Sequence, residues 1–439
     1  MHSTDEVRGR AARTGRRRPA AAAAFAAVTA FSLALSACSS SGSGGGGGST
    51  TPGGSTGSSS SSGGSSASTA AVQATVDKAF LQHVPLSSLP STVQDAFKIA
   101  SEPLTQAQLD LALKCWQGTS CSTGTGGSVT LGLADGFGDN TWRKISKMEI
   151  TLQALHYKNI GKIIYTNAHG DLSQMNANIR SLTAQGVKAI VTYDDFGSAV
   201  LPAFTAAQRA GAKVSSFVGG IPDAPTSAVA NQVHEDICTA GTEMAKTAST
   251  LVGGSGQVAF FNGTPGNPQG ATWNKCAEKQ FADSGGKISV AYKADTDWTP
   301  AGTFKAASGL VSTGKPVKAI LYDYADPLPQ VVKAFEQAGK VSPALITFTS
   351  NNDLFGVWQK AQGTPKAFDL YYTSGLNYQS RISVTAVMDL LAGKSVPGLL
   401  NVPMPFVKAV KGVYAPSLPG TYPGPSVLIP LPLLTKMLS

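Results

Sequence analysis

Histidine and cysteine are scarce in this sequence, at five copies each in 439 residues, and charged residues make up only 14 % of it. The five histidines are scattered and the cysteine spacings fit no zinc motif, so no metal is expected. No basic stripe with interleaved aromatics occurs, which argues against nucleic acid as a partner. There is also no phosphate-cradling loop and no serine on a plausible nucleophile elbow. Gly263-Thr-Pro-Gly266 is a turn motif, not a nucleotide cradle. An enzyme is therefore not expected, and neither is a cofactor. The one long uncharged stretch near the start, Ala20–Ala37, is rich in Ala but thin in Leu and Ile, which is weak for a permanent membrane span.

What is present at the start reads as export. Arg8, Arg10, Arg13, Arg16, Arg17 and Arg18 make a charged n-region, and the uncharged stretch after them has the length of an h-region. It ends in Leu35-Ser36-Ala37-Cys38, which resembles the bacterial lipobox, so cleavage is expected before Cys38 with a lipid on that thiol. Residues 39–69 are almost wholly Ser, Gly and Thr and cannot bury enough apolar surface to offset chain entropy. As a coil, this tether of about 31 residues would reach roughly 30 Å. Without residues 1–37 the formal charge falls from +9 to about +5, with 29 basic against 24 acidic residues. An extracytoplasmic location on the bacterial cell membrane follows as the expectation.

Cys38 set aside, four cysteines remain and allow three pairings. The short Cys115–Cys121 loop favours local closure, which leaves Cys238 with Cys276, and an exported protein sits where such bonds persist.

Residues 70–127 read as a small helical collar, with helices over Ala70–His83, Ser91–Ala100 and Leu104–Lys114 and Thr105 as a cap. From Ser128 the pattern alternates short apolar strands with amphipathic helices. Strands are expected at Val129–Ala134, Lys162–Thr166, Val187–Thr192 and Lys213–Val218, then at Gln257–Asn262, Lys287–Tyr292, Val317–Tyr322 and Leu345–Thr349. This is an α/β chain of two doubly wound parallel-sheet lobes. Ligands of such sheets bind beyond the carboxyl ends of the strands.

Gly186-Val-Lys-Ala-Ile-Val-Thr-Tyr-Asp-Asp-Phe-Gly-Ser-Ala199 resembles the type I periplasmic sugar-binding proteins. So do Ala240-Gly-Thr-Glu-Met-Ala245, Gly256-Gln-Val-Ala-Phe-Phe-Asn-Gly-Thr-Pro-Gly-Asn267 and Val331-Val-Lys-Ala-Phe-Glu-Gln-Ala-Gly339. The resemblance covers roughly residues 128–408. It implies lobes of 128–234 plus 375–402 and of 235–374 plus 403–410, joined by a three-strand hinge, with 411–439 as a tail. It also implies one small polar ligand, most simply a monosaccharide, delivered to an ABC permease by a monomeric receptor. A sensor on the same scaffold is the alternative, passing its signal to a membrane partner.

The resemblance carries candidate ligand contacts with it. Gly138-Asp-Asn-Thr-Trp-Arg143 sits where ribose- and galactofuranose-type receptors place cleft residues, which nominates Asp139, Asn140, Trp142 and Arg143. An indole face suits the C–H side of a sugar ring, and Arg and Asp suit its hydroxyl edge. Trp298 falls at a stacking position, and Tyr324 and Ser374 fall where such receptors use Asn and Gln. Asn267 either faces the cleft or holds its turn. Asp194 and Asp195 either accept hydroxyls or cap the following helix, and Asn351 and Asn352 are of the same kind. Three charged contacts of ribose receptors are replaced here, at Val218-Gly219, Ala277 and Thr349. The expected cleft is therefore more aromatic and less charged than a ribose site.

Overall fold

The computed structural model describes residues 67–218, 220–221 and 223–439. The expected signal peptide, Cys38 and the Ser/Gly-rich stretch through residue 66 lie outside the described residues. Among the described residues no helix is long and apolar enough to cross a membrane.

Three helices come first: α1 (Thr69–Phe80), α2 (Ser91–Ser101) and α3 (Gln106–Gln117). The Ser68 hydroxyl accepts the Ala71 N–H and caps α1, so helix begins within the last residues assigned to the tether. Leu81 takes a left-handed conformation, φ 61°, and ends α1 short of His83. Thr105 and Gln108 form a reciprocal capping box that starts α3.

Seven strands build one sheet: β1 (Ser120–Ser122), β2 (Val129–Asp135), β3 (Ile160–Asn167), β4 (Ala189–Tyr193), β5 (Lys213–Phe217), β6 (Asn231–Glu235) and β12 (Leu399–Val402). Their order is β1-β3-β2-β4-β5-β6-β12. The second sheet has the order β13-β11-β10-β9-β7-β8. Its strands are β7 (Gly256–Asn262), β8 (Ile288–Asp295), β9 (Val317–Tyr322), β10 (Ala344–Thr347), β11 (Leu370–Tyr372) and β13 (Val407–Lys408). All pairings are parallel except at one edge of each sheet, where β1 on β3 and β13 on β11 run antiparallel. The central strands are nearly continuous apolar runs because helices cover both faces. These two antiparallel edge strands are short and enter from outside the alternating pattern, which is why their direction is free to differ.

Helices α4 (Thr141–Ala154), α5 (Leu172–Ala184) and α6 (Leu201–Arg209) flank the first sheet. Helices α7 (Ile237–Leu251), α8 (Pro268–Asp283), α9 (Pro300–Ser312), α10 (Pro329–Gln337) and α11 (Asn352–Ala361) flank the second. Disulfides join Cys115 to Cys121 and Cys238 to Cys276. The first ties α3 to the edge strand β1, and the second ties α7 to α8. Those two helices touch because Gly241 has no side chain: a Cβ there would lie 2.3 Å from the Trp273 carbonyl oxygen.

The chain crosses between the lobes three times, from β6 into α7, from β11 into α12 (Tyr378–Leu391), and from β12 into β13. α12 is almost wholly buried although many of its residues are polar. Its Arg381 guanidinium bonds Glu149 and Gln153 on α4, so the buried charge is paired. Val76, Phe80, Val93 and Phe97 of the collar pack on Tyr378, Ile382, Val233 and Leu400, so the collar covers the strands and helix beside the crossings.

The last segment crosses a fourth time. On the second lobe, the Asn352 side chain donates to the carbonyls of Ala415 (2.9 Å) and Leu418 (3.0 Å) and accepts the Ala415 N–H. Ser350 Oγ donates to the Pro423 carbonyl. The Gly375 N–H then donates to Ser426 Oγ, and the Leu428 N–H donates to Glu149 Oε1 on the first lobe. Beyond this, α13 (Leu431–Leu438) buries Leu433, Leu434 and Met437 with Ile145, Met148 and Leu152 of α4.

Candidate ligand-binding cleft

The carboxyl ends of the strands of both sheets meet at a cavity of about 700 Å³, a size suited to a small molecule. From the first lobe Tyr193, Asp194 and Asp195 line it, and from the second lobe Asn267, Gln269 and Trp298.

The first-lobe wall is organised by an ion triad. Asn140 caps α4 by accepting the Arg143 N–H at 2.8 Å, which fixes where Arg143 leaves the helix. The Arg143 guanidinium donates to Asp135 Oδ1 through Nη1 and to Asp195 Oδ1 through Nη2, each at 2.6 Å. Its central carbon lies 3.2 Å from the centroid of the Tyr193 ring, a close cation–π contact. Gly136 makes room for the triad, since a Cβ there would lie 2.3 Å from the Asp195 carboxylate. Burial pushes the Asp135 carboxyl up to about 6, with Arg143 pulling against it. Burial also raises Asp195, again opposed by Arg143. Both carboxylates in turn hold the Arg143 proton more firmly. Asp194, only 8 % exposed, accepts the Phe196 N–H, and burial pushes it up to about 7.

The second-lobe wall depends on Trp298. Asp297 and Trp298 both have left-handed backbone, φ 54° and 53°. The indole lies against Gly263, where a Cβ would sit 1.9 Å from its ring. Its Nε1 donates to Asp323 Oδ1 at 2.8 Å, and Trp273 Nε1 donates to Asp323 Oδ2 at 3.2 Å. Burial raises Asp323 to about 6, while the two indole donors favour its ionised form. Asn267 caps α8 through the Gln269 and Gly270 N–H groups and also lines the cavity.

A family model described as "Periplasmic binding protein domain" matches residues 134–395. The chain belongs to that family. Its members are solute-binding proteins rather than enzymes. No curated protein matches at the sequence level. Among solved structures, the chain is similar to an ABC transporter solute-binding protein from Actinobacillus succinogenes holding D-allose. The two share 19 % identity, with 64 % of this chain and 97 % of that one covered and a TM-score of 0.55. A solute-binding protein from Bacillus halodurans holding myo-inositol matches at 13 % identity, 65 % and 96 % coverage and a TM-score of 0.57. The fructose-binding periplasmic domain of a hybrid two-component system matches at 15 %, 64 % and 90 %, with a TM-score of 0.55.

Of the residues nominated from sequence, this periplasmic binding protein domain brings Asp194, Asp195, Asn267 and Trp298 together around the cavity. Arg143 does not line it and stands behind Asp195 and Tyr193 instead. Trp142 donates its Nε1 to the Gly375 carbonyl at 2.6 Å and packs on Tyr193 and Phe217, so its ring is held at the second crossing. Asp139 lies at the first-lobe rim with Asn167 and His169. Tyr324 and Asn351 both donate to Asp326, and Asn351 also caps α11. Ser374 is fully buried after β11, beside the Tyr378 hydroxyl.

Sequence reasoning passed over Gln232, His234 and Asp236, which line the cavity together with Tyr193, the first residue of the loop after an expected strand. It likewise passed over Glu235, which is fully buried and accepts from Gln379 Nε2 at 2.8 Å. Gln379 Oε1 in turn accepts the Val218 N–H. Glu235 ends β6, so the rule of carboxyl strand ends would have found it had β6 been recognised as a strand, whereas Tyr193 ends β4, which the sequence pattern does predict.

Proposed function

We propose that this chain is an extracytoplasmic solute receptor, held to the cell membrane by a lipid on Cys38, that captures a small polar solute for an ABC importer. The observation that carries the reading is the cavity, walled by Asp194 and Asp195 from one lobe and by Asn267 and Trp298 from the other. A ligand touching both walls stabilises the closed arrangement, and the closed form is what a permease would recognise. A monosaccharide is the solute class favoured by an aromatic wall facing hydrogen-bonding side chains. Arg143 supports the wall rather than touching the ligand.

A thermal-shift screen against sugars, polyols and amino acids tests the class, because a ligand that binds only the folded state raises its melting point. Hits confined to amino acids would overturn the sugar reading. Small-angle scattering with and without a hit tests closure, and unchanged dimensions would refute it. The anchor is tested by Cys38→Ser, which should release the protein from the membrane fraction; retention would refute lipidation there.

The likeness to the fructose-binding domain of a two-component system keeps a second reading in view, a ligand sensor with a membrane signalling partner. Neighbouring genes distinguish the two: a permease and ATPase favour import, a histidine kinase favours sensing.

A further inference from the structure

The charges around the cavity are distributed against the trend of the whole chain. Lys and Arg outnumber Asp and Glu by 35 to 26 in the sequence, yet four Asp and no Lys or Arg line the cavity among the described residues. Arg143, the nearest buried cation, is not available to a ligand, because both of its terminal nitrogens are bonded to carboxylates and Tyr193 covers its face. An anionic solute would meet carboxylates with no compensating cation.

The four carboxylates are not equivalent. Asp236 caps α7, accepting from the N–H groups of Cys238 and Thr239 and from the Thr239 hydroxyl. Asp195 is held by Arg143, but its side chain remains 28 % exposed. Asp194 is more than nine-tenths buried, lines the cavity and pairs with no cation. Asp223 is exposed at the cavity and makes no hydrogen bond or ion pair among the described residues. A buried carboxylate without a cation is costly unless a partner arrives. A concave, partly dry wall of one sign also focuses its field on whatever enters.

Resting on the solute-receptor reading, we propose that the ligand is a polyhydroxylated compound carrying a protonated amine, whose ammonium group seats against Asp194 and Asp195. Its hydroxyls fall to Asn267, Gln232 and Asn401, and its ring to Trp298, all of which line the same cavity. Electrostatic complementarity of this kind works chiefly as discrimination, by disfavouring the wrong charge.

Calorimetric titration of the full chain with matched sugars tests the proposal. The probes are D-glucosamine and D-galactosamine, the parents D-glucose and D-galactose, the N-acetylated amines, and D-glucuronate and D-glucose 6-phosphate. At least one amine should bind ten or more times tighter than its parent and its N-acetyl form, and neither anion should bind. In Asp194→Asn and Asp223→Asn that preference should shrink, with a cooperative melt verifying that each variant is folded. A parent sugar binding as tightly as its amine, or either anion binding, overturns the charge inference and leaves the receptor reading standing. Binding of none of the eight sugars overturns both the inference and the monosaccharide reading.

Discussion

Replacing Arg143 with Met removes the one cation bonded to both Asp135 and Asp195, of which Asp135 cannot reach water freely. Asp135 is 2 % exposed and Arg143 itself 5 % exposed, so water cannot take over the lost bonds. Deleting one partner of a buried ion pair costs about 3–5 kcal/mol, a large share of a total stability on the order of 5–15 kcal/mol. With a urea dependence of about 3 kcal/mol per molar, the unfolding midpoint should fall by roughly 1–1.7 M at pH 8. The loss should also depend on pH, with a definite sign. Burial already raises Asp135 from 3.8 to about 6, and Arg143 is the strongest influence opposing it. A carboxyl raised in the folded state favours folding at low pH, and that advantage disappears as pH climbs through the window between its unfolded and folded values. Removing Arg143 extends the window upward, so the variant should lose little at pH 4 and most at pH 8. Urea titrations of both proteins at the two pH values provide the assay. An equal loss at pH 4 and pH 8, or a loss below about 1 kcal/mol at pH 8, would refute the reasoning. Pairing Arg143→Met with Asp135→Leu should restore part of the stability, because the orphaned charge is then gone as well.

Asp194→Asn keeps an acceptor for the Phe196 N–H but removes a carboxyl raised to about 7 by burial. Wild-type stability should fall as pH rises from about 4 to about 7; the variant should follow a flatter profile and melt higher at pH 8, which thermal melts across that range would check. Gly263→Ala places a methyl group 1.9 Å from the Trp298 ring, so the indole must leave Asp323. We expect a loss of about 1–3 kcal/mol, a shift in tryptophan emission and weaker ligand binding, and an unchanged spectrum would contradict this. Loss of the Cys238–Cys276 bond, which spans 38 residues, should cost about 4 kcal/mol. Loss of Cys115–Cys121, which spans 6, should cost about 2 kcal/mol, and paired Cys→Ser variants in urea would establish the order.

The lobes were legible in the sequence because their central strands are short apolar runs such as Val129–Ala134 and Val317–Tyr322, and burial on both faces demands that composition. β6 was not, since Asn-Gln-Val-His-Glu carries little of that signal. Its Asn231 and Glu235 are buried, and their bonds come from far along the chain, Asn231 from Ser215 and the Pro397 carbonyl and one Glu235 oxygen from Gln379. The site divides in the same way. Asp194 is placed by its own loop and Trp298 is found by resemblance, although its indole is held by Gly263 and Asp323. The engagement of Trp142 depends on the carbonyl of Gly375, 233 residues away, and that of Arg143 on Asp195, 52 residues away. No spacing rule reaches that far. The run 411–430 has no helical or strand period, and its order comes from carbonyls held by Asn352 rather than from its own propensities.

That run has a mechanical meaning for the cleft. Pro423 is bonded to Ser350 on one lobe and Leu428 to Glu149 on the other. Five residue steps separate these anchor points, and an extended chain covers at most about 3.6 Å per step. The two anchors can therefore move no further apart than roughly 18 Å while both bonds hold. The segment acts as a check-strap: it leaves closure free, limits how widely the lobes can part along that edge, and makes removal of the last 30 residues a change in the range of motion as well as in the surface.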